Sequence, residues 1–278
     1  MLRHFFSGGE NMIYKLLDRI KAFDCVEAIA IAGSRASGNA DEKSDYDVYV
    51  YYTSAPVPEQ ERSALYNEFC RYSETGNKYF EYEDNIILND NIPADIIFRS
   101  LDELCAFLAR TVEEYRASNG YTTCFWHNLV TSKIYYDRDG RLKAAQERFD
   151  VPYPEKLREN IIRRNADLLS GKMPSYDKQI IKAGSRGDIV SLNHRTAAFL
   201  ESYFDIIFAL NRLTHPGEKK LTEICKRECK LLPADFEKNL NSLFEHLFSD
   251  IEKTKNDLAV IVKEMNILLL ENGFGTEN

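Results

Sequence analysis

What the chain has little of narrows its function before any motif is considered. No apolar run approaches the roughly 20 residues needed to span a bilayer, so no membrane partner is expected. There is no internal repeat and no low-complexity tract. Basic charge is not in excess: the net charge is −8 and the pI about 5.3. That balance argues against a broad phosphate-neutralising surface for long nucleic acid, while leaving open a single nucleotide or a cationic small molecule. The six cysteines (Cys25, Cys70, Cys105, Cys124, Cys225 and Cys229) are scattered, and no signal-peptide pattern precedes them. A disulfide framework is therefore not expected, and a reducing, cytoplasmic location is. Cys225 and Cys229 stand one helical turn apart, but no second pair with zinc spacing accompanies them, so no zinc site is expected.

What is present centres on residues 26–52, VEAIAIAGSRASGNADEKSDYDVYVYY. An apolar run ends at Gly33-Ser34, a small and polar segment follows, and the chain re-enters an apolar run through Asp45-Tyr46-Asp47. Side chains on a strand repeat with a period of two, so Asp45 and Asp47 point to one face. Adjacent carboxylates are costly to ionise together unless a cation lies between them. An all-oxygen ligand set suits a hard divalent ion, Mg²⁺ above all, which completes its shell with water and phosphate. Glycine lets backbone approach a ligand closely, and N–H groups at a turn entering a helix attract phosphate.

Gly33-Ser34, a spacer of about ten residues, Asp45-Tyr46-Asp47-Val48 and a later Pro93-Ala94-Asp95-Ile96-Ile97-Phe98 together resemble the signature of the DNA polymerase beta-like nucleotidyltransferase superfamily. The resemblance covers about the first half of the chain. Its nearest branch is similar to small bacterial aminoglycoside and lincosamide nucleotidyltransferases, which carry a helical second domain. It implies a nucleoside triphosphate (NTP) as co-substrate, with one or two Mg²⁺ ions held by Asp45, Asp47 and Asp95. It also implies Asp95 as general base and Gly33 and Ser34 as contacts to the β- and γ-phosphates. Arg35 would add a charged contact, or stand solvated at a helix start. An Asp set in Ala-Asp-Ile-Ile-Phe also needs a partner on physical grounds, since burying a lone carboxylate is expensive.

Along the chain, Ile13, Leu16, Leu17, Ile20 and Phe23 follow helical spacing. Strands are expected at 26–32, 46–52, 79–82, 86–88, 94–98 and 133–137, with Glu83-Asp84-Asn85 as a turn. A short helix or turn is expected at 34–38, and a helix from Pro58 to about Ser73. Ser100-Leu101-Asp102-Glu103 reads as a capping box before another helix. A helix at 121–130 and a turn at Asp137-Arg138-Asp139-Gly140 complete this half. After Pro152 and Pro154 strands give way to helical periodicity, at 155–170, 175–185, 187–213, 218–229 and 234–272, the last broken near Asp250. The expected class is α+β. Residues 1–151 would form a catalytic domain with a mixed sheet flanked by helices, and 152–278 an all-α bundle completing the cleft.

In the second half, His215-Pro216-Gly217-Glu218-Lys219-Lys220 reads either as a plain helix–helix turn or as a basic loop whose Lys219 and Lys220 reach the triphosphate. Trp126-His127 and His194-Arg195 read as structural pairs. The resulting expectation is a Mg²⁺-dependent nucleotidyltransferase. It would move a nucleoside monophosphate, expected to be AMP, onto a hydroxyl of a small acceptor such as an aminoglycoside or lincosamide. A protein-nucleotidylating enzyme akin to the superfamily's antitoxins and a non-catalytic nucleotide-binding regulatory module are the alternatives.

Overall fold

The computed structural model describes residues 12–33 and 45–275. Among these residues, the first half forms helix α1 (Met12–Ile20), strands β1 (Val26–Ala32) and β2 (Tyr46–Tyr52), helix α2 (Glu59–Phe69) and strands β3 (Cys70–Asn77), β4 (Glu83–Leu88) and β5 (Pro93–Ser100). Helices α3 (Leu101–Val112) and α4 (Cys124–Thr131), strand β6 (Lys133–Asp137) and helix α5 (Arg141–Phe149) follow. The strands form one mixed sheet in the order β3-β4-β5-β2-β1-β6. Only the β2–β5 pairing is parallel; the other ladders are antiparallel.

The sheet has a core face and a site face because its strands alternate. Val48, Val50, Ile96, Phe98, Ile29 and Ile31 join Ile13, Leu16, Leu17 and Ile20 of α1 and Leu65 and Tyr66 of α2 in one buried cluster. The four α1 side chains recur at i, i+3, i+4 and i+7, the stripe expected from the sequence. Full burial of each contributes about 1.5–3 kcal/mol. Asp47, Tyr49 and Tyr51 lie on the opposite face, paired with Ala32, Ala30 and Ala28 of β1 and with Asp95, Ile97 and Arg99 of β5. As expected, Ser100 caps α3 by accepting from the Glu103 N–H at 3.3 Å.

Three local expectations are overturned. The helix after Pro58 stops at Phe69, and Cys70–Asn77 is an edge strand. Residues 79–82 are not a strand: Tyr79 and Phe80 are 88 and 93% exposed. The supposed turn Glu83-Asp84-Asn85 opens strand β4 instead. Its Asp84 is fully buried, where it meets the Arg62 guanidinium and accepts from the Tyr66 hydroxyl at 2.7 Å and the Gly76 N–H at 2.7 Å. Beyond the expected turn, Asp137 accepts from the Leu142 and Lys143 N–H groups and so caps α5, a helix outside the sequence reading.

The second half is helical: α6 (Glu155–Leu169), α7 (Tyr176–Ser185), α8 (Ile189–Leu210), α9 (Leu221–Glu228), α10 (Phe236–His246) and α11 (Ile251–Glu271). Helix α8 buries residues on every side along the unbroken run 202–210, although Ile189 at its start is 61% exposed. The break near Asp250 is real, since the Asp250 carboxylate accepts from Lys253 N–H and starts α11. Among the described residues no helix is long and apolar enough to cross a membrane.

The chain divides into two compact units. One contains the residues up to Ala109 together with Asn128–Val151; the other contains Arg110–His127 and Pro152–Asn278. A single cut at 151/152 leaves 110–127 in the first domain, whereas this segment packs with the helices. The buried Asp205 carboxylate of α8 accepts from the Thr122 N–H at 3.1 Å, the Thr122 hydroxyl at 2.7 Å and the Asn165 amide at 3.2 Å. Partners 83 residues apart in sequence leave no local signal.

Candidate functional site

The three carboxylates singled out in the sequence converge in the first unit. Parallel pairing of β2 and β5 sets Asp47 directly beside Asp95. The period of two brings Asp45, at the mouth of β2, to the same side. One ligand oxygen from each of Asp45, Asp47 and Asp95 lies within 4.8 Å of the others, and all three residues are half-buried. Among the described residues this is the group of three or more His, Cys, Asp or Glu side chains able to hold a metal ion; Cys225 and Cys229 form no such group.

Gly33 closes one side. Its φ of +64° is left-handed, and a Cβ built there would lie 1.9 Å from Asp47 Oδ2. Glycine is therefore required twice over at this position, by backbone conformation and by the approach of the carboxylate. The fit to a hard divalent cation rests on this chemistry: oxygen-only donors converging at the end of two strands, beside backbone too close to admit a side chain. Ser34, Arg35 and the expected turn at 34–38 lie outside the described residues.

Further along the same sheet face, the Arg99 guanidinium is paired with the Glu81 carboxylate through Nε at 2.7 Å and Nη2 at 2.5 Å. It also lies 4.1 Å from the Tyr49 ring centroid. The Asn128 amide donates to the Tyr49 hydroxyl at 2.8 Å. Burial raises the Tyr49 phenol above its ordinary value, the neighbouring Asp47 charge adding to the rise while Arg99 and the Asn128 hydrogen bond oppose it. Glu83, on β4 next to the Asp95 strand, is also raised, first by burial and then by the charges of Asp95 and Glu81, against a hydrogen bond from Asn85.

Reading Glu83-Asp84-Asn85 as a turn hides Asn85 from the sequence. Its amide donates to Asp95 Oδ1 at 2.8 Å. The signal that could have found it is alternation: in EDNIIL the buried positions are Asp84, Ile86 and Leu88, which leaves Asn85 on the site face.

Lys219 and Lys220 belong to the second unit. Lys220 has a left-handed φ of +55° immediately before α9. It lines a cavity of about 600 Å³ with Tyr121, Glu201, Phe204, Glu218 and Phe244. The loop is anchored by His215, fully buried, whose N–H donates to Thr123 Oγ1 at 2.8 Å and whose Nδ1 accepts from the Gly217 N–H at 3.1 Å. His127 has its Nδ1 2.8 Å from Thr214 Oγ1, in keeping with a structural role.

Comparison with known proteins gives two family matches. Residues 13–118 match a nucleotidyltransferase domain, and residues 124–221 match a domain of unknown function (DUF4037). No curated protein matches the chain. Among solved structures, a nucleotidyltransferase-like protein from Exiguobacterium sibiricum 255-15 is 12% identical, with 95% of this chain and 78% of that one covered and a TM-score of 0.44. An aminoglycoside 6-adenyltransferase from Bacillus subtilis is 11% identical over 93% of this chain and 90% of its own, with a TM-score of 0.28. A CCA-adding enzyme in complex with ATP is 12% identical over 93 and 81%, also with a TM-score of 0.28. These values are too low to carry a nucleotide or an acceptor over to this chain.

Proposed function

We propose that this enzyme of the nucleotidyltransferase type, whose residues 13–118 match a nucleotidyltransferase domain, transfers a nucleoside monophosphate, AMP in our reading, from an NTP to a hydroxyl of a small acceptor. The observation that supports this most is the convergence of Asp45, Asp47 and Asp95 beside Gly33. Asp45, Asp47 and Asp95 would hold Mg²⁺. When bound, one or two such ions orient the triphosphate and neutralise charge developing on the phosphoryl oxygens.

The chain's own groups do the rest. Backbone at Gly33, with Ser34 and Arg35 following it, receives the β- and γ-phosphates. Asp95 accepts the proton of the attacking hydroxyl. As the acceptor oxygen bonds to the α-phosphorus, the bond from that phosphorus to its bridging oxygen breaks and pyrophosphate leaves. The acceptor class in this reading is a hydroxylated antibiotic of the aminoglycoside or lincosamide kind.

The test is incorporation of label from α-labelled ATP, with Mg²⁺, into a panel of aminoglycosides and lincosamides, preceded by a thermal-shift screen of the four NTPs. A bound nucleotide raises the melting temperature by mass action. Asp45→Asn and Asp47→Asn are expected to bring transfer to background. Retention of wild-type transfer by either variant would overturn the assignment of the pair. Failure of every NTP to shift the melting temperature with Mg²⁺ would remove the reading at its first step.

A further inference from the structure

The polar contacts around Asp95 continue outward in a connected chain. Asn85 stands opposite Asp95 in the antiparallel register of β4 and β5, so both side chains share the site face. Asn85 Nδ2 donates to Asp95 Oδ1 at 2.8 Å, while Asn85 Oδ1 accepts from Asn77 Nδ2 at 2.5 Å. That pair of contacts sets the amide's orientation: its oxygen is engaged by a donor, so its nitrogen faces the carboxylate. A carboxylate with one oxygen held this way has a restricted χ2, and its second oxygen is presented in a defined direction.

The backbone beneath these side chains is fixed from the other face. Asp84, the residue before Asn85, is fully buried against Arg62 and Tyr66 and accepts the Gly76 N–H. Gly76, the residue before Asn77, has φ +82°, and the β3–β4 register is irregular between Glu74 and Asn77. Such irregularities re-aim a side chain at a sheet edge. Residues 76 and 77 are thus tied to 84 and 85 in two adjacent contacts, one to the buried Asp84 and one on the site face.

We propose that Asn85 is the positioning residue for Asp95, holding one carboxylate oxygen so that the other faces the cation, and that Asn77 sets the orientation of Asn85. This rests on the reading that Asp45, Asp47 and Asp95 hold a divalent ion.

The experiment titrates Mn²⁺ alone into the full chain and follows the loss of the free-ion electron paramagnetic resonance signal. Asn85→Ala is expected to weaken Mn²⁺ binding by about 10-fold, the range seen when groups behind metal ligands are removed. Asn77→Ala should weaken it by less, and the double variant should match Asn85→Ala, because the two residues act through one hydrogen-bonded path. In an Asp95→Asn background, Asn85→Ala should cause no further loss. Unchanged affinity in Asn85→Ala, or an undiminished further loss in the Asp95→Asn background, overturns the proposal while leaving the metal reading intact. Absence of Mn²⁺ binding by the wild-type chain would instead overturn the metal reading and this proposal with it. Should Asn85→Ala fail to give a cooperative melting transition, Asn77→Ala decides alone: it changes only a half-buried edge side chain, and unchanged affinity there overturns the proposal.

Discussion

Gly33 and Asp47 occupy one another's space: the Cβ of any other residue at position 33 would lie 1.9 Å from Asp47 Oδ2 and 3.0 Å from its Cγ. The carboxylate would have to move, and with it one member of the Asp45, Asp47 and Asp95 group. Gly33→Ala is therefore expected to weaken Mn²⁺ binding by at least about 10-fold, comparable to loss of a group that orients a ligand. The left-handed backbone adds a cost of about 1–2 kcal/mol to global stability. Calorimetric Mn²⁺ titration beside a urea melt separates the two effects. An alanine variant with wild-type metal affinity would show that Asp47 can rotate without consequence.

Arg62 and Asp84 are 2 and 0% exposed, and their ion pair is complemented by the Val57 carbonyl and the Tyr82 and Tyr66 hydroxyls. Removing one partner leaves the other as an uncompensated buried charge. Asp84→Leu alone is expected to destabilise the first unit by about 3–5 kcal/mol. The double variant Arg62→Met with Asp84→Leu should lose much less than the sum of the two single changes, since no stranded charge remains. Denaturant melts of the four proteins in a double-mutant cycle supply the comparison.

Asp45, Asp47 and Asp95 were legible because the chemistry is written locally: alternation on one strand, a glycine turn before it and an acid among apolar residues after it. The register that places Asp95 beside Asp47 is a long-range pairing, and only the family resemblance anticipated it. Alternation was also present in β4, but Asp84 at a buried position imitates a turn residue unless Arg62, 22 residues away, is known to meet it. Tyr79 and Phe80 misled in the opposite sense, since aromatic content suggested a strand where the chain leaves both rings in solvent. The placement of 110–127 with the helices depends on Thr122 meeting Asp205, which no window of sequence contains.

Cys225 and Cys229 sit in different surroundings despite standing one turn apart, Cys225 fully buried and Cys229 half-buried. The Cys229 thiol is lowered by a hydrogen bond from Cys225, while Cys225 is raised by that same contact and by burial. Burial raises Cys25 and Cys105 as well and pushes Cys70 up to about 12. The thiolate is the nucleophile, so Cys229 should alkylate before these four. Peptide mapping after a short iodoacetamide pulse on the native chain gives the order. Earlier labelling of Cys70 or Cys225 would contradict it.

Two buried groups in the second unit give stability opposite dependences on pH. Burial pushes the Asp205 carboxyl up to about 7, against the hydrogen bonds from Thr122 and Asn165. Between the ordinary carboxylate value of about 4 and that point, the folded chain keeps a proton the unfolded chain has released. Its contribution is full below about pH 4 and is lost as pH rises through 7. Burial, with His127 nearby, pushes His215 down to about 3. Between about 6.5 and that value the unfolded chain takes up a proton that the folded chain refuses. The His215 contribution is therefore full above about pH 6.5 and is lost as pH falls through 3. Asp205→Asn removes only the first dependence, so the stability gap between wild type and variant should be larger at pH 5 than at pH 8. Urea midpoints at the two pH values measure it, and an equal gap at both would mean that Asp205 does not titrate in this range.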